Sequence, residues 1–162
     1  KEGKLYGANT DYYGFGTMLA SHSIAVENQT AMVLGFGGSA KAVVLYLLDN
    51  GINNIIIVSR KKGALTDIPD DPRISLMSYD EITDISGDLI INTTPLGMFP
   101  NINTCPDIPY DLLTPKHLLY DLLYNPDETL FMKKGKEKGA VVKNGLEMLL
   151  LQAFAAWEIW QK

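Results

Sequence analysis

Cysteine is almost absent from this chain of 162 residues, which contains only Cys105. A single cysteine cannot form a disulfide framework or a Cys-x-x-Cys metal site, and we expect a protein of a reducing compartment, the cytoplasm. Cys105 is interpreted as a loop thiol. The two histidines, His22 and His117, are isolated in sequence from other metal-binding residue types, so no metal site is expected.

Excess positive charge and long apolar segments are also lacking. The chain has 14 Lys and Arg against 19 Asp and Glu, a formal net charge of −5, which offers no basic surface for nucleic acid. No apolar run is long enough to cross a bilayer, and the N-terminus has no signal-peptide arrangement. Hydrophobic residues make up 46% of the sequence, so residues 1–162 are expected to form one globular domain without a nucleic-acid or membrane partner.

Apolar segments with strand and helix periodicities alternate along the chain. Six segments are predicted strands: 30–35, 54–59, 74–77, 88–92, 117–122 and 140–142. Helical spacing predicts helices over about 12–22, 38–50, 128–138 and 145–161, and one or two helical turns over 79–85. Strands joined by crossovers indicate an α/β fold, a Rossmann-type doubly wound parallel sheet of six strands in the order 3-2-1-4-5-6.

The most informative segment is 30–41, where a short apolar strand runs into a glycine-rich turn and then a helical pattern. The turn matches the motif G-x-G-x-x-G/A and predicts a cofactor-binding loop built by Gly35, Gly37, Gly38, Ser39 and Ala40. Such glycines permit a tight turn and close approach to a pyrophosphate, which the N–H groups at the start of the helix can bind. Glycines in a strand-to-helix turn often serve the turn alone, so the motif by itself leaves that interpretation open.

The residues after the second predicted strand indicate which dinucleotide is bound. NAD-binding sheets usually carry an acidic side chain there, which accepts from the ribose 2′-OH. This chain instead has Ser59, Arg60, Lys61 and Lys62, which suit a 2′-phosphate. The sequence therefore predicts NADP as cofactor, the alternative being a solvated basic loop.

Five segments, in this order, give the chain a resemblance to the shikimate dehydrogenase family that runs from residue 7 to 157. They are Gly7 to Asp11, the glycine turn Gly35 to Lys41, Ser59-Arg60, Asn92 to Met98, and Asp121 to Pro126 together with Asn144 to Leu149 and Gln152. The resemblance implies the C-terminal NADP-binding domain of an enzyme that reversibly reduces 3-dehydroshikimate to shikimate, a step of aromatic amino-acid biosynthesis.

The resemblance also implies roles for individual residues. Asp11 matches the family's catalytic aspartate, although local sequence alone favours a helix N-cap, and the two interpretations are compatible. Substrate contacts are implied for Asn9, Tyr124 and Gln152; Tyr124 could instead be a packed loop aromatic, whereas Gln152 is an unusual choice within an apolar helical face. Further cofactor contacts are implied for Thr93, Leu122, Gly145 and Met148, with core packing as the alternative for Met148.

The family's catalytic lysine and its Ser-x-Ser substrate clamp belong to an N-terminal domain that this sequence does not contain. We therefore expect a fragment of a two-domain enzyme that is inactive alone, with helices 12–22 and 145–161 bordering the interdomain cleft. Apolar side chains exposed there, and hence weak self-association, are expected at Phe15, Leu19, Phe154 and Trp157. Two alternatives stay open: a quinate-type or related polyol dehydrogenase, and a non-catalytic NADP-binding module.

Overall fold

The computed structural model describes residues 7–161, in which six strands and four α-helices alternate. The strands are β1 (Thr30–Leu34), β2 (Asn54–Val58), β3 (Ile74–Met77), β4 (Leu89–Asn92), β5 (Leu118–Asp121) and β6 (Val141–Lys143). The helices are α1 (Thr10–Ser21), α2 (Gly38–Asp49), α3 (Leu130–Glu137) and α4 (Leu146–Gln161). Short 3₁₀ turns lie at Lys62–Ala64, Tyr79–Glu81 and Tyr110–Leu112.

All six strands form one parallel sheet in the order β3-β2-β1-β4-β5-β6, which confirms the predicted fold and strand order. Successive residues of a strand point to opposite faces of the sheet, so each strand supplies two cores. Ala31 and Val33 of β1 pack towards α1, α2 and α4. Met32 and Leu34 pack on the other face, against α3 and the apolar side chains of long loops.

Helix and strand ends differ from the predictions where a cap decides the boundary. Asp11 lies near the N-cap of α1, as predicted, but is not the cap itself: Asn9 is the cap, and its side-chain oxygen accepts hydrogen bonds from the N–H groups of Asp11 (3.1 Å) and Tyr12 (3.3 Å). Helix α3 begins after its cap Thr129 and not at residue 128. Strand β6 begins at Val141 because the N–H of Ala140 still bonds to Gly135 at the end of α3.

The predicted exposure of α1 is also wrong. Phe15 and Leu19 are 0% and 1% exposed, and Phe15 packs its ring between those of Tyr46 and Tyr120. On α4 the prediction holds, because Phe154 and Trp157 are 65% and 60% exposed and Met148 is the one buried residue of that helix. Within residues 7–161, no helix has both the length and the apolar composition needed to cross a membrane.

Candidate dinucleotide site

The candidate site lies at the carboxyl edge of the sheet, where β1 stands between β2 and β4. The chain leaves β1 towards β2 on one side, and later elements continue from β4 on the other side. This reversal of winding direction opens a crevice beyond the carboxyl ends of the central strands, which is where doubly wound sheets bind ligands.

The glycine turn after β1 occupies that crevice. Gly35 has a φ of +92°, and a Cβ there would lie 2.9 Å from Thr94 Cγ2 and 3.0 Å from Thr93 Oγ1. Gly35 therefore serves the turn itself. A Cβ on Gly37 or Gly38 would meet no atom of the described chain within 4 Å, so these glycines leave open space in front of the N-terminus of α2. This combination fits a phosphate group close to the backbone.

A first cleft, here called the glycine-turn cleft, extends from Gly35 and Gly37 to the end of β2. It has a volume of about 320 Å³ and is lined by Gly35, Phe36, Gly37, Ser59, Arg60, Leu65, Tyr79 and residues 93–96. The Ser59 hydroxyl accepts a hydrogen bond from the Lys61 N–H at 3.3 Å. The lining thus includes Ser59, Arg60 and Thr93, as predicted for a cofactor site, while the Lys61 side chain does not line the cleft.

Lys62, which continues the basic run, is engaged elsewhere. Its ammonium donates to both carboxylate oxygens of Glu81, and these bonds hold the pKa of Glu81 at about 2. Among the described residues, Arg60 is the cation that lines the cleft. Burial raises the pKa of the Tyr79 phenol, and the nearby charge of Arg60 opposes this rise without cancelling it.

A second cleft, here called the α1–α4 cleft, lies on the other side of the glycine turn. Its volume is about 230 Å³, and it brings together Asp11, Ser39, Leu122, Tyr124, Gly145, Met148, Leu149 and Gln152. Seven of these are predicted site residues, drawn from α1, α2, α4 and the loop after β5. Asp11 and Gln152, which are more than 100 positions apart in the sequence, thus line the same cleft.

Close packing of α1 on α4 creates this cleft. A Cβ on Gly14 would lie 2.8 Å from the Met148 carbonyl oxygen and 2.9 Å from the Cβ of Gln152. The Thr10 hydroxyl donates to Oε1 of Gln152 at 3.0 Å, which fixes the amide on the cleft wall. Gly145 packs against the backbone of Leu122, where a Cβ would come within 2.0 Å of the carbonyl oxygen.

Four predicted site residues lie outside both clefts: Asn9, Gly38, Ala40 and Lys61. Asn9 is exposed, caps α1 and lies beside Tyr12 and Asp49 on a separate surface depression. Ala40 is completely buried below the glycine turn, where it packs in the core. The structure therefore does not place Asn9 in the α1–α4 cleft that Asp11 lines, and Ala40 contributes through helix–strand packing.

A buried polar network, which was not predicted from the sequence, lies beneath the two clefts. Asn92 and Asp121 are the last residues of β4 and β5 and lie opposite each other in the sheet; Asn92 Nδ2 donates to Asp121 Oδ1 at 3.0 Å. The Thr129 hydroxyl donates to Asp121 Oδ2 at 2.6 Å. Burial raises the pKa of the Asp121 carboxyl to about 6. The available signal was a polar residue at the carboxyl end of each of two buried strands.

The parallel sheet and the glycine turn at its switch point define a Rossmann-type fold, and the two adjoining clefts are its candidate dinucleotide site. Among residues 7–161, no group of three or more His, Cys, Asp or Glu side chains is placed to hold a metal ion. No protein-family profile matches the chain.

Curated relatives and solved structures do match. The chain is 51% identical to the NADP(+) shikimate dehydrogenase of Clostridium beijerinckii, over 100% of this chain and 59% of that enzyme. A chorismate mutase/shikimate 5-dehydrogenase fusion protein from Clostridium acetobutylicum superposes with a TM-score of 0.84 at 42% identity, over 94% of this chain and 55% of that one. A shikimate dehydrogenase in complex with NADP+ gives a TM-score of 0.85 at 32% identity, over 99% and 58%.

The relatives that match this chain are thus shikimate dehydrogenases, which confirms the resemblance found in the sequence. The chain spans about three fifths of the length of the curated relatives it matches (59%).

Proposed function

We propose that this chain is the NADP-binding part of an enzyme that reversibly reduces 3-dehydroshikimate to shikimate. The observation that carries the proposal is the arrangement of the two clefts, which meet at the glycine turn. Arg60 lines one cleft, and Asp11 and Gln152 line the other. One elongated ligand can therefore place a phosphorylated ribose beside Arg60 and its reactive ring beside the candidate acid.

The residues present fit NADP. The backbone at Gly37 and Gly38 and the N-terminus of α2 would hold the pyrophosphate, because the space in front of them is open. Ser59 and Arg60 would hold the 2′-phosphate, and none of the described residues that line the glycine-turn cleft is a carboxylate that would repel it. Leu122, Gly145 and Met148 in the α1–α4 cleft would hold the nicotinamide end, and Thr93 would contact the cofactor from the glycine-turn cleft.

NADPH, when bound, supplies a hydride. A ketone that accepts a hydride becomes an alkoxide and needs a proton, which a positioned acid can deliver. Asp11 has that role in this proposal: it lies in the first turn of α1, which the Asn9 cap fixes. Tyr124 and the Gln152 amide orient the substrate, and Thr10 holds that amide in place.

The relatives are longer than this chain, and in this proposal the additional length supplies the groups that complete the site. The proposal places the partner lysine and the substrate-carboxylate clamp in that part of the enzyme, with α1 and α4 at the cleft between the two domains. The exposed apolar side chains of α4 would then be covered. Four points stay predictions: that residues 1–162 form one domain, that Asn9 contacts the substrate, that Lys61 contacts the cofactor, and that the protein is cytoplasmic.

Titration with NADPH, followed by a shikimate assay, tests the proposal. The chain is expected to bind NADPH saturably at one site, and to show no NADP-dependent oxidation of shikimate above that of Asp11→Asn, because acid–base partner and substrate clamp are both needed. Absence of NADPH binding would contradict the proposed cofactor. Turnover that Asp11→Asn abolishes would show that the substrate site is complete within this chain.

A further inference from the structure

Within residues 7–161, the polar or charged side chains that are completely buried belong to Asn92, Asp121 and Thr129, each with 0% exposure. They form a continuous chain of hydrogen bonds. The Thr129 hydroxyl and the Asn92 amide donate to different oxygens of Asp121, at 2.6 Å and 3.0 Å. Asp121 Oδ1 also accepts from the N–H of Leu123 at 3.1 Å.

Stability alone does not account for this carboxylate. Each partner that lowers its pKa is a neutral hydrogen-bond donor, and burial outweighs them, raising that pKa to about 6. A buried charge without a cation is costly, and replacing such polar groups with apolar side chains of similar shape is often neutral or stabilising. Because this buried carboxylate lowers stability, we expect it to have another role, which is to hold the neighbouring loops in position.

One branch of this hydrogen-bond network reaches the glycine-turn cleft through Asn92. Its Oδ1 accepts from the Thr94 N–H at 3.0 Å and from the Thr94 hydroxyl at 2.7 Å, while its amide also donates to the Leu96 carbonyl at 3.4 Å. Thr94 and Leu96 line the cleft, and the Thr94 methyl group limits the space beside Gly35. The position of this wall therefore depends on the Asn92 side chain.

The other branch reaches the α1–α4 cleft through Leu123. Asp121 fixes the Leu123 N–H, and the Leu123 carbonyl accepts from the N–H of Gly145 at 2.9 Å. Gly145 and the neighbouring Leu122 line that cleft. One buried carboxylate thus anchors a wall of each cleft.

We propose that Asp121 and Thr129 are positioning residues for the dinucleotide: without touching it, they lock the loop after β4 and the loop after β5 into the spacing that the cofactor needs. The proposal rests on the proposed binding of NADP. Thr129 acts through Asp121, and Asp121 acts through Asn92 and Leu123.

Four variants test this inference, with NADPH dissociation constants and urea unfolding measured on each. Thr129→Val removes the hydroxyl at nearly constant shape and Thr129→Ser restores it. Asp121→Asn keeps the size but removes the charge. Phe131→Leu is the matched control, because Phe131 is fully buried on α3, the helix that Thr129 caps, but belongs to the apolar core.

Thr129→Val is expected to bind NADPH about tenfold more weakly, as loss of one charge-assisted hydrogen bond implies. Thr129→Ser should stay within twofold of the wild type, and Phe131→Leu should lose stability without losing affinity. Asp121→Asn is the decisive variant: at pH 7 it should unfold at no lower urea concentration than the wild type, yet bind NADPH several-fold more weakly. If Asp121 had only a structural role, NADPH affinity would not fall while resistance to urea stayed unchanged.

Wild-type affinity in both Thr129→Val and Asp121→Asn would overturn the inference. If Thr129→Val does not fold, Asp121→Asn decides alone, and unchanged affinity in that variant overturns the inference equally. Failure of the wild-type chain to bind NADPH is a different result, which refutes the proposed function.

Discussion

Substitution of Arg60 should convert a chain that prefers NADPH into one that does not distinguish NADPH from NADH. Arg60 is the cation that lines the glycine-turn cleft, whereas Lys62 is held by Glu81. A hydrogen-bonded charge pair contributes about 1.5 to 3 kcal/mol. Because Arg60 is exposed to solvent, which screens its charge, the lower value applies, and Arg60→Ala should weaken NADPH binding about tenfold.

Isothermal titration with both cofactors checks this expectation. NADH lacks the 2′-phosphate, so its affinity should be nearly the same in Arg60→Ala and in the wild type. The charge-matched control is Lys116→Ala, an exposed lysine just before β5 at the opposite edge of the sheet, which should change neither affinity. Equal affinities of the wild type for NADPH and NADH, or an equal loss for both in Arg60→Ala, would refute the assignment of the 2′-phosphate to Arg60.

Three further outcomes are expected. Gly37→Ala should leave urea unfolding unchanged, because the added Cβ meets no described atom within 4 Å. The same substitution should abolish NADPH binding, because the methyl group fills the space for the phosphate. Retained binding would refute the assignment of the pyrophosphate to the glycine turn. The pKa of Asp121 is raised in the folded chain, from 3.8 to about 6, so its contribution to stability is full below pH 4 and is lost as pH rises through 6. The stability difference between wild type and Asp121→Asn should therefore fall by about 2 kcal/mol between pH 4 and pH 7 in chemical denaturation, and a flat difference would contradict the assigned pKa. The exposed face formed by Phe154, Trp157 and Trp160 should cause weak self-association that Trp157→Ser reduces, and sedimentation of a strict monomer at high concentration would contradict this.

The sequence by itself determined the order of elements, the position of the glycine turn and the basic residues after β2. These features are local: a strand is recognised by its apolar run and the turn by its glycines, and the predicted cofactor preference rests on residues that directly follow a strand. The alternation of strands and crossovers indicates a parallel sheet, and the doubly wound fold with a glycine turn after its first strand has a known strand order. The strand order could therefore also be predicted from the sequence. Family resemblance then indicated Asp11, Tyr124 and Gln152, which the structure places in one cleft.

The tertiary structure alone decided which residues meet across the sheet and between helices. Hydrophobic spacing on α1 did not reveal that Phe15 and Leu19 face the core, because both helix faces carry apolar residues. The Thr10–Gln152 hydrogen bond joins residues 142 positions apart, a pairing set by the close approach of α1 and α4 at Gly14. The convergence of Asn92, Asp121 and Thr129 likewise depends on strand register and on where α3 begins, which are properties of the packed chain that no local pattern encodes.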